Sequence, residues 1–247
     1  MRIILEFSSE SPVLLPIHYN ELIQGFIYSN LDKAIASFLH DEGYKFEKRK
    51  FKFFTFSRII SKARIKGRDI EFTSPLRIVI SSPLEKILRS LVKHLIRAKE
   101  IKIGNNSLYL NSISVGFKPR LKDKDEIKIK MLSPVTIYST LKTEEGKKKT
   151  YFYNPKEKEF SSQIKNNLIR KYKTLHGGES PDKEFDIIPL TYKKENEKII
   201  KYKGFIIKGW MGNYLLKGTK ELLLLAYDSG IGAKNSLGFG CFEIIEK

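Results

Sequence analysis

Seven apolar residues, Leu84, Ile87, Leu88, Leu91, Val92, Leu95 and Ile96, recur at helical spacing between stretches that read as strands. A helix with one wide apolar stripe cannot bury it alone and needs a sheet or a second helix to lie against. Ser82-Pro83-Leu84-Glu85 marks its start, combining an N-cap serine, a proline at the first helical position and a capping-box glutamate. Before it, RIILEF at residues 2–7 reads as a buried strand, and further strands are expected at about 51–57, 59–65, 69–73 and 76–81. A strand at about 108–118 closes the unit.

Between the first two strands, Leu22, Ile23, Phe26 and Ile27 give a helix over Tyr19 to Tyr28. Ser29, Asn30 and Asp32 interrupt it. Asp32 is placed to cap a second helical run with Ala34, Ile35, Phe38 and Leu39 toward the core, and Gly43 ends that run. The order β, α, β, β, α, β is the ferredoxin-like, or RRM-like, arrangement with a broken first helix. The second half repeats the plan. Strands at about 126–132 and 135–139 lead to a charged hairpin tip over residues 144–149, followed by a helix at about 156–175. Long strands at about 184–194 and 198–209, a helix at about 214–227 and a strand at about 238–245 complete it. The expected fold class is therefore α+β, with two tandem ferredoxin-like domains. The polar link Pro119 to Asp125 divides residues 1–120 from 121–247.

The chain of 247 residues carries 46 Lys+Arg against 28 Asp+Glu, a formal net charge of +18. Both halves are basic, so the field is not that of a basic tail and favours a polyanionic partner. A membrane partner is not expected, because no apolar run approaches the roughly 18 residues of a spanning helix. MRIILEFSSE carries glutamates where a signal peptide has its apolar stretch. The single cysteine, Cys241, excludes an internal disulfide and fits a cytoplasmic location.

Half of the net charge lies between Lys45 and Arg68, which hold ten basic residues and one acid, Glu47. The basic residues expected to bind RNA here are Lys48, Arg49, Lys50, Arg58, Lys62, Arg64, Lys66 and Arg68, with Lys52 among them. On one strand Lys50, Lys52, Phe54 and Phe56 share a face, and cations interleaved with rings suit a single-stranded nucleic acid. The alternative is an ordinary sheet with an apolar core face and a solvated lysine face. A second signal is the loop Gly230, Gly232, Lys234, Asn235, Ser236, Gly238 and Gly240. Its glycines would leave the backbone open, and its polar triplet supplies donors for phosphate. It is neither a P-loop nor a dinucleotide fingerprint, because a helix precedes the glycines and a strand follows.

No metal site is expected, since His18, His40, His94 and His176 are not paired at ligand spacing. No cofactor is implied. RNA cleavage needs neither, because the substrate's own 2′-hydroxyl is the nucleophile and the protein has only to move protons and stabilise charge. His40 followed by the basic strand holding Lys52 meets that minimum; the other three histidines read as structural.

These residues resemble a known family. Tyr19-Asn20, Gln24-Gly25-Phe26-Ile27-Tyr28, Phe38-Leu39-His40, Lys52-Phe53-Phe54-Thr55-Phe56-Ser57 and the segment 230–240 are similar to motifs of the Cas-six family of CRISPR-associated endoribonucleases, in the RAMP superfamily. The resemblance covers the whole chain and implies a tandem ferredoxin-like fold and a CRISPR precursor RNA as partner. It implies cleavage within the repeat to leave a 2′,3′-cyclic phosphate and a 5′-hydroxyl, by a monomer or homodimer that works alone or beside effector subunits. The catalytic tyrosine, histidine and lysine of such members fall on Tyr28, His40 and Lys52. In an unbroken helix Tyr28 and His40 would lie about 18 Å apart and about 120° round the axis, so the break near Ser29 to Asp32 must bring them together. Because inactive relatives exist, a non-catalytic repeat-RNA-binding subunit is the alternative.

Overall fold

The computed structural model describes residues 1–142, 146–178 and 184–246. The expected hairpin tip at Glu144 and Glu145 lies outside them. The first half runs β1 (Arg2–Ser8), β2 (Val13–Pro16), α1 (Asn20–Ser29), α2 (Lys33–Ser37), one π-helical turn (Phe38–Glu42), β3 (Tyr44–Phe46), β4 (Arg49–Phe51) and β5 (Thr55–Phe56). It continues with β6 (Ala63–Lys66), β7 (Asp69–Phe72), β8 (Leu76–Ser81), α3 (Glu85–Arg97), β9 (Ile101–Ile103) and β10 (Asn106–Val115). The second half contains β11 (Lys124–Met131), β12 (Tyr138–Lys142), β13 (Lys148–Phe152), α4 (Lys158–His176), β14 (Phe185–Pro189), β15 (Glu197–Tyr202), β16 (Phe205–Trp210), β17 (Asn213–Thr219), α5 (Lys220–Ser229) and β18 (Phe242–Glu246).

The first sheet has the order β5-β8-β1-β10, with β9 added at its edge, and the second has the order β14-β17-β11-β18. Both are antiparallel. Counting the four strands of each βαββαβ unit in chain order, both sheets read 2-3-1-4, the ferredoxin-like order. Two such folds in tandem make up the chain. Each sheet buries one face under its helices. Ile3, Leu5 and Phe7 of β1 pack with Ile23 and Ile27 of α1 and Leu88, Leu91 and Leu95 of α3. Ile127 and Ile129 of β11 pack with Phe160, Ile164 and Leu168 of α4 and Leu222 and Ala226 of α5. Arg2 joins the halves: its buried guanidinium donates to the carbonyls of Phe242 (2.6 Å) and Tyr227 (2.8 Å) and lies 3.6 Å from the Tyr227 ring centroid.

Several elements differ from the sequence expectation. Ser82 does not cap α3. Its hydroxyl accepts from the Leu84 amide (3.0 Å) and donates to the Phe53 carbonyl (2.6 Å), so the helix opens only at Glu85. The stripe ends at Leu95, because Ile96 is 67% exposed. Asp32 does not cap α2 with its side chain. Its amide instead donates to Ser90 Oγ (2.8 Å), and its carboxylate lies 3.7 Å from His94 Nε2. The expected strand at 198–209 is a hairpin, β15–β16, that turns at Lys203-Gly204 with φ positive at both. The expected helix at 214–227 begins only at Lys220. Asn213–Thr219 alternates in burial and pairs on both sides, with β11 and β14, and backbone pairing on two flanks outweighs the helical spacing of its leucines.

Candidate active site

The break after α1 is made by side chains that bind the end of the helix. Asn30 Nδ2 donates to the Phe26 carbonyl (2.8 Å), and the Ser29 hydroxyl donates to the same oxygen (3.1 Å). The chain then folds back through α2 into the π turn, which closes with the Gly43 amide on the Phe38 carbonyl (2.7 Å). Such wide turns recur at functional sites. This one places the His40 ring 6.2 Å from the Tyr28 ring, edge to face at 88°. Lys52 follows β4, and its Nζ donates to the His40 carbonyl (3.0 Å) while standing 5.6 Å from the Tyr28 ring centroid. The three residue types come together from three separate segments.

Their environments differ. The His40 side chain is 71% exposed, and its Nδ1 lies 2.6 Å from Asp41 Oδ1. Among the described residues the buried Tyr28 hydroxyl has no hydrogen-bond partner, and burial, reinforced by Tyr202, pushes its pKa well above the usual phenol range. Partial burial lowers the pKa of Lys52; Asp41 opposes that shift, and Lys50 and Lys203 add to it. All three line a cleft of about 630 Å³ whose far wall includes Tyr202 and Lys203 at the tip of β15–β16. The Tyr202 hydroxyl donates to Gln24 Oε1, and Gln24 Nε2 donates to the Ser236 carbonyl (2.6 Å). Sequence reasoning missed Tyr202 and Lys203; the signal was Lys203-Gly204, a turn pair inside what reads as one long strand.

A second cleft, about 670 Å³, lies beside the first, and Lys52 lines both. Its walls carry Lys48, Arg49 and Lys50 from the β3–β4 hairpin, Lys171 from α4, and Lys234 and Ser236 from the glycine-rich loop. The basic segment is thereby divided. Arg58, Lys62, Arg64, Lys66 and Arg68 line neither cleft. Arg64 and Lys66 sit on the separate sheet β2-β7-β6, paired with Glu71 at 2.6 and 3.3 Å, and the Arg64 contact holds the Glu71 carboxyl below its ordinary range.

Two expectations are corrected here. The face shared by Lys50, Lys52, Phe54 and Phe56 does not exist, because φ is +51° at Phe53 and residues 53–57 are all buried. Burying a Phe side chain stabilises by about 1.5–3 kcal/mol, so these rings belong to the core and do not stack on bases. Nor does the glycine-rich loop leave its backbone open. Gly230, Gly232, Gly238 and Gly240 are buried with positive φ, and a Cβ at Gly240 would stand 2.0 Å from the Ile231 carbonyl oxygen. These glycines let the loop wedge between the halves. Asn20 Nδ2 donates to the Leu237 carbonyl (2.8 Å) and the Thr55 hydroxyl to that of Phe239 (2.9 Å). Asn235 is also used internally: Nδ2 donates to the Ile231 and Phe239 carbonyls (both 3.0 Å), and Oδ1 accepts from Lys171 Nζ (2.7 Å). Lys234 keeps its side chain in the cleft, 4.8 Å from the Tyr138 ring centroid, with its pKa lowered by burial. Among the described residues no group of three or more His, Cys, Asp or Glu is placed to hold a metal, and no helix is long and apolar enough to cross a membrane.

Comparison with known proteins bears on the family and the fold. The chain is 28% identical to "CRISPR-associated endoribonuclease Cas6 1" of Methanocaldococcus jannaschii, over 100% of this chain and 93% of that protein. It is 28% identical to "CRISPR-associated endoribonuclease Cas6" of Pyrococcus furiosus, over 93% and 83%. Among solved structures, one described as "Characterization of a Cas6-related gene from Pyrococcus furiosus" superposes with a TM-score of 0.86 at 25% identity, covering 100% of this chain and 99% of that one. Another, "An RAMP protein binding different RNA substrates", gives 0.84 at 27% identity and covers 100% of both chains. The family "CRISPR-associated protein Cas6, N-terminal" matches residues 14–114, and "CRISPR associated protein Cas6, C-terminal" matches residues 117–244. The chain belongs to the Cas6 family of CRISPR-associated proteins.

Proposed function

We propose that this protein is an endoribonuclease that cuts the repeat RNA of CRISPR precursor transcripts into guide RNAs without a metal. The observation that carries this reading is the meeting of Tyr28, His40 and Lys52 at one cleft from segments far apart along the chain. The relatives named endoribonucleases support it. The residues divide into two functional domains: 1–120 supplies the three catalytic groups, and 121–247 supplies the glycine-rich loop and the Lys203 wall. The protein acts in the cytoplasm as a monomer or homodimer, alone or beside CRISPR effector subunits.

In the proposed reaction the substrate's 2′-hydroxyl oxygen attacks the adjacent phosphorus. The bond to the 5′-oxygen of the next nucleotide breaks, giving a 2′,3′-cyclic phosphate and a 5′-hydroxyl. One proton leaves the 2′-oxygen and one reaches the departing 5′-oxygen. His40 serves one of these transfers through Nε2, with Nδ1 held by Asp41, and Tyr28 is its partner. Lys52, already partly desolvated, offsets the charge of the phosphorane. Lys48, Arg49, Lys50, Lys234 and Ser236 hold the strand next to that site. A subunit that binds repeat RNA without cutting it is the second reading, favoured by the buried, unpartnered Tyr28 hydroxyl, which reaches RNA only after the cleft rearranges.

The test uses the repeat RNA of the CRISPR array nearest the gene, in EDTA, beside the same RNA with 2′-deoxyribose at the cleavage position. The expected result is cleavage of the first and not of the second, and a His40→Ala protein that binds the RNA normally while cutting it at least about a hundredfold more slowly. Cleavage of the deoxy substrate, or activity lost in EDTA, overturns the mechanism. Tight binding with no product at long times selects the second reading.

A further inference from the structure

Asn167 lies on α4 and forms part of the wall of the second cleft, yet it is 4% exposed and its Oδ1 has no hydrogen-bond partner among the described residues. A buried amide oxygen left unpaired opposes folding unless something supplies a donor. Lys171, one turn on along the helix and lining the same cleft, is committed elsewhere: its Nζ donates to Gly230 O, Asn235 Oδ1 and Ser229 Oγ. The rest of the wall combines cations with hydroxyl-bearing residues and four aromatic residues, of which Phe53 and Phe54 are buried and Phe51 and Tyr138 are half-buried. The missing partner must be a donor, so it is not a phosphate oxygen, although the phosphates of a strand would suit the lysines around it.

We propose that the second cleft seats one unpaired repeat nucleotide and that Asn167 is the residue that reads its base. An asparagine amide presents an acceptor beside a donor. Adenine and cytosine present the complement, an exocyclic amine beside an unprotonated ring nitrogen. The occupant is therefore an adenine or cytosine whose amine donates to Oδ1, which like the Tyr28 hydroxyl is fully buried and meets the base once the side chain turns toward the cleft. Its flanking phosphates lie against Lys48, Lys50 and Lys234. The cleft volume, about 670 Å³, suits one nucleotide, lying within the range of about 300–1,000 Å³ usual for small-ligand sites. Because Lys52 lines both clefts, the base read here is on the same strand as the phosphate held beside His40. The inference rests on the RNA-processing reading above and gives it a sequence-reading element.

The experiment measures binding and single-turnover cleavage of the cognate repeat RNA by the wild type, Asn167→Ala and Asn167→Asp. Each adenosine is replaced in turn by purine riboside and each cytidine by the 4-deaminated pyrimidinone, so that only one amine is lost at a time. At one position, loss of the amine is expected to weaken wild-type binding about tenfold and to leave Asn167→Ala unaffected. Asn167→Asp, which keeps an acceptor, retains the preference. Urea unfolding of both variants is measured beside binding, so that a change in stability at this buried position is read apart from a change in base preference. Three outcomes overturn the proposal: no coupled position, a uniform loss of affinity for every RNA, or a retained amine preference in Asn167→Ala. A wild type that cuts the repeat but shows no coupled position removes only the role of Asn167. One that neither binds nor cuts the repeat removes the functional reading as well.

Discussion

Lys171 is an ammonium buried among neutral acceptors. It donates to the Gly230 carbonyl and Asn235 Oδ1, both at 2.7 Å, and lies 3.4 Å from Ser229 Oγ, so it ties α4 to the start and the middle of the glycine-rich loop. Burial pushes its pKa down from the ordinary 10.5 to about 7. The folded value lies below the unfolded one, so between them the unfolded chain binds more protons, and stability rises with pH across that interval. The contribution is complete above about 10.5 and is lost as pH falls toward about 7. The slope from this one group reaches at most about 1.4 kcal/mol per pH unit. Urea unfolding of the wild type at several values between about pH 7.5 and 9.5 is expected to show that rise, and Lys171→Met to flatten it. Equal slopes for the two proteins would mean that the amine is solvated in the folded state.

The π turn is the element that assembles the candidate site, and its closure depends on Gly43. That residue has φ 63° and ψ −173°, a region essentially reserved for glycine, and a Cβ there would stand 2.9 Å from the Phe51 carbonyl oxygen at the end of β4. Gly43→Ala is expected to cost about 1–3 kcal/mol in urea unfolding. It should also slow cleavage more than it weakens RNA binding, because it displaces the His40 carbonyl from Lys52. A rate that falls only in proportion to affinity would show that the turn holds no catalytic geometry. The sequence made the break visible through Ser29, Asn30 and Asp32, and it placed Tyr28, His40 and Lys52 together through resemblance. The width of the turn was not legible, since it is set by the Gly43 amide closing on the Phe38 carbonyl, in a backbone conformation that the packing of Gly43 against the Phe51 carbonyl permits only in the folded chain. The same limit explains the other misses. Tyr214, Leu215 and Leu216 fit a helix by spacing, and only partners on both flanks make them a strand. Phe54 and Phe56 share a face with Lys50 and Lys52 if residues 50–57 form one strand, but φ is positive at Phe53 and residues 53–57 are buried. The order of strands and helices survived these local errors because each apolar stripe still required a sheet face to cover it.

Over the whole molecule, the net charge of +18 does not act as one field on RNA. Half of it lies in residues 45–68, and the fold sends that segment to two places. Lys48, Arg49 and Lys50 stand at the second cleft, while Arg64 and Lys66 stand on another sheet and are partly neutralised by Glu71. Counterion release makes the logarithm of the RNA affinity fall with the logarithm of salt by about 0.7 per phosphate neutralised on a single strand. Replacing Lys48, Arg49 and Lys50 together by alanine is therefore expected to reduce that slope by about 2. Replacing Arg64 and Lys66 by glutamine, in a charge change nearly as large, should reduce it by less than about 0.5, because the phosphates being neutralised lie elsewhere. Filter binding of the repeat RNA from about 50 to 300 mM salt reads both numbers. Similar losses from the two sets would place RNA on both sheets and extend its track to the β6–β7 hairpin. The expected difference confines the strand to the clefts that Lys52 joins, so the charge that holds the RNA also fixes which phosphate reaches His40.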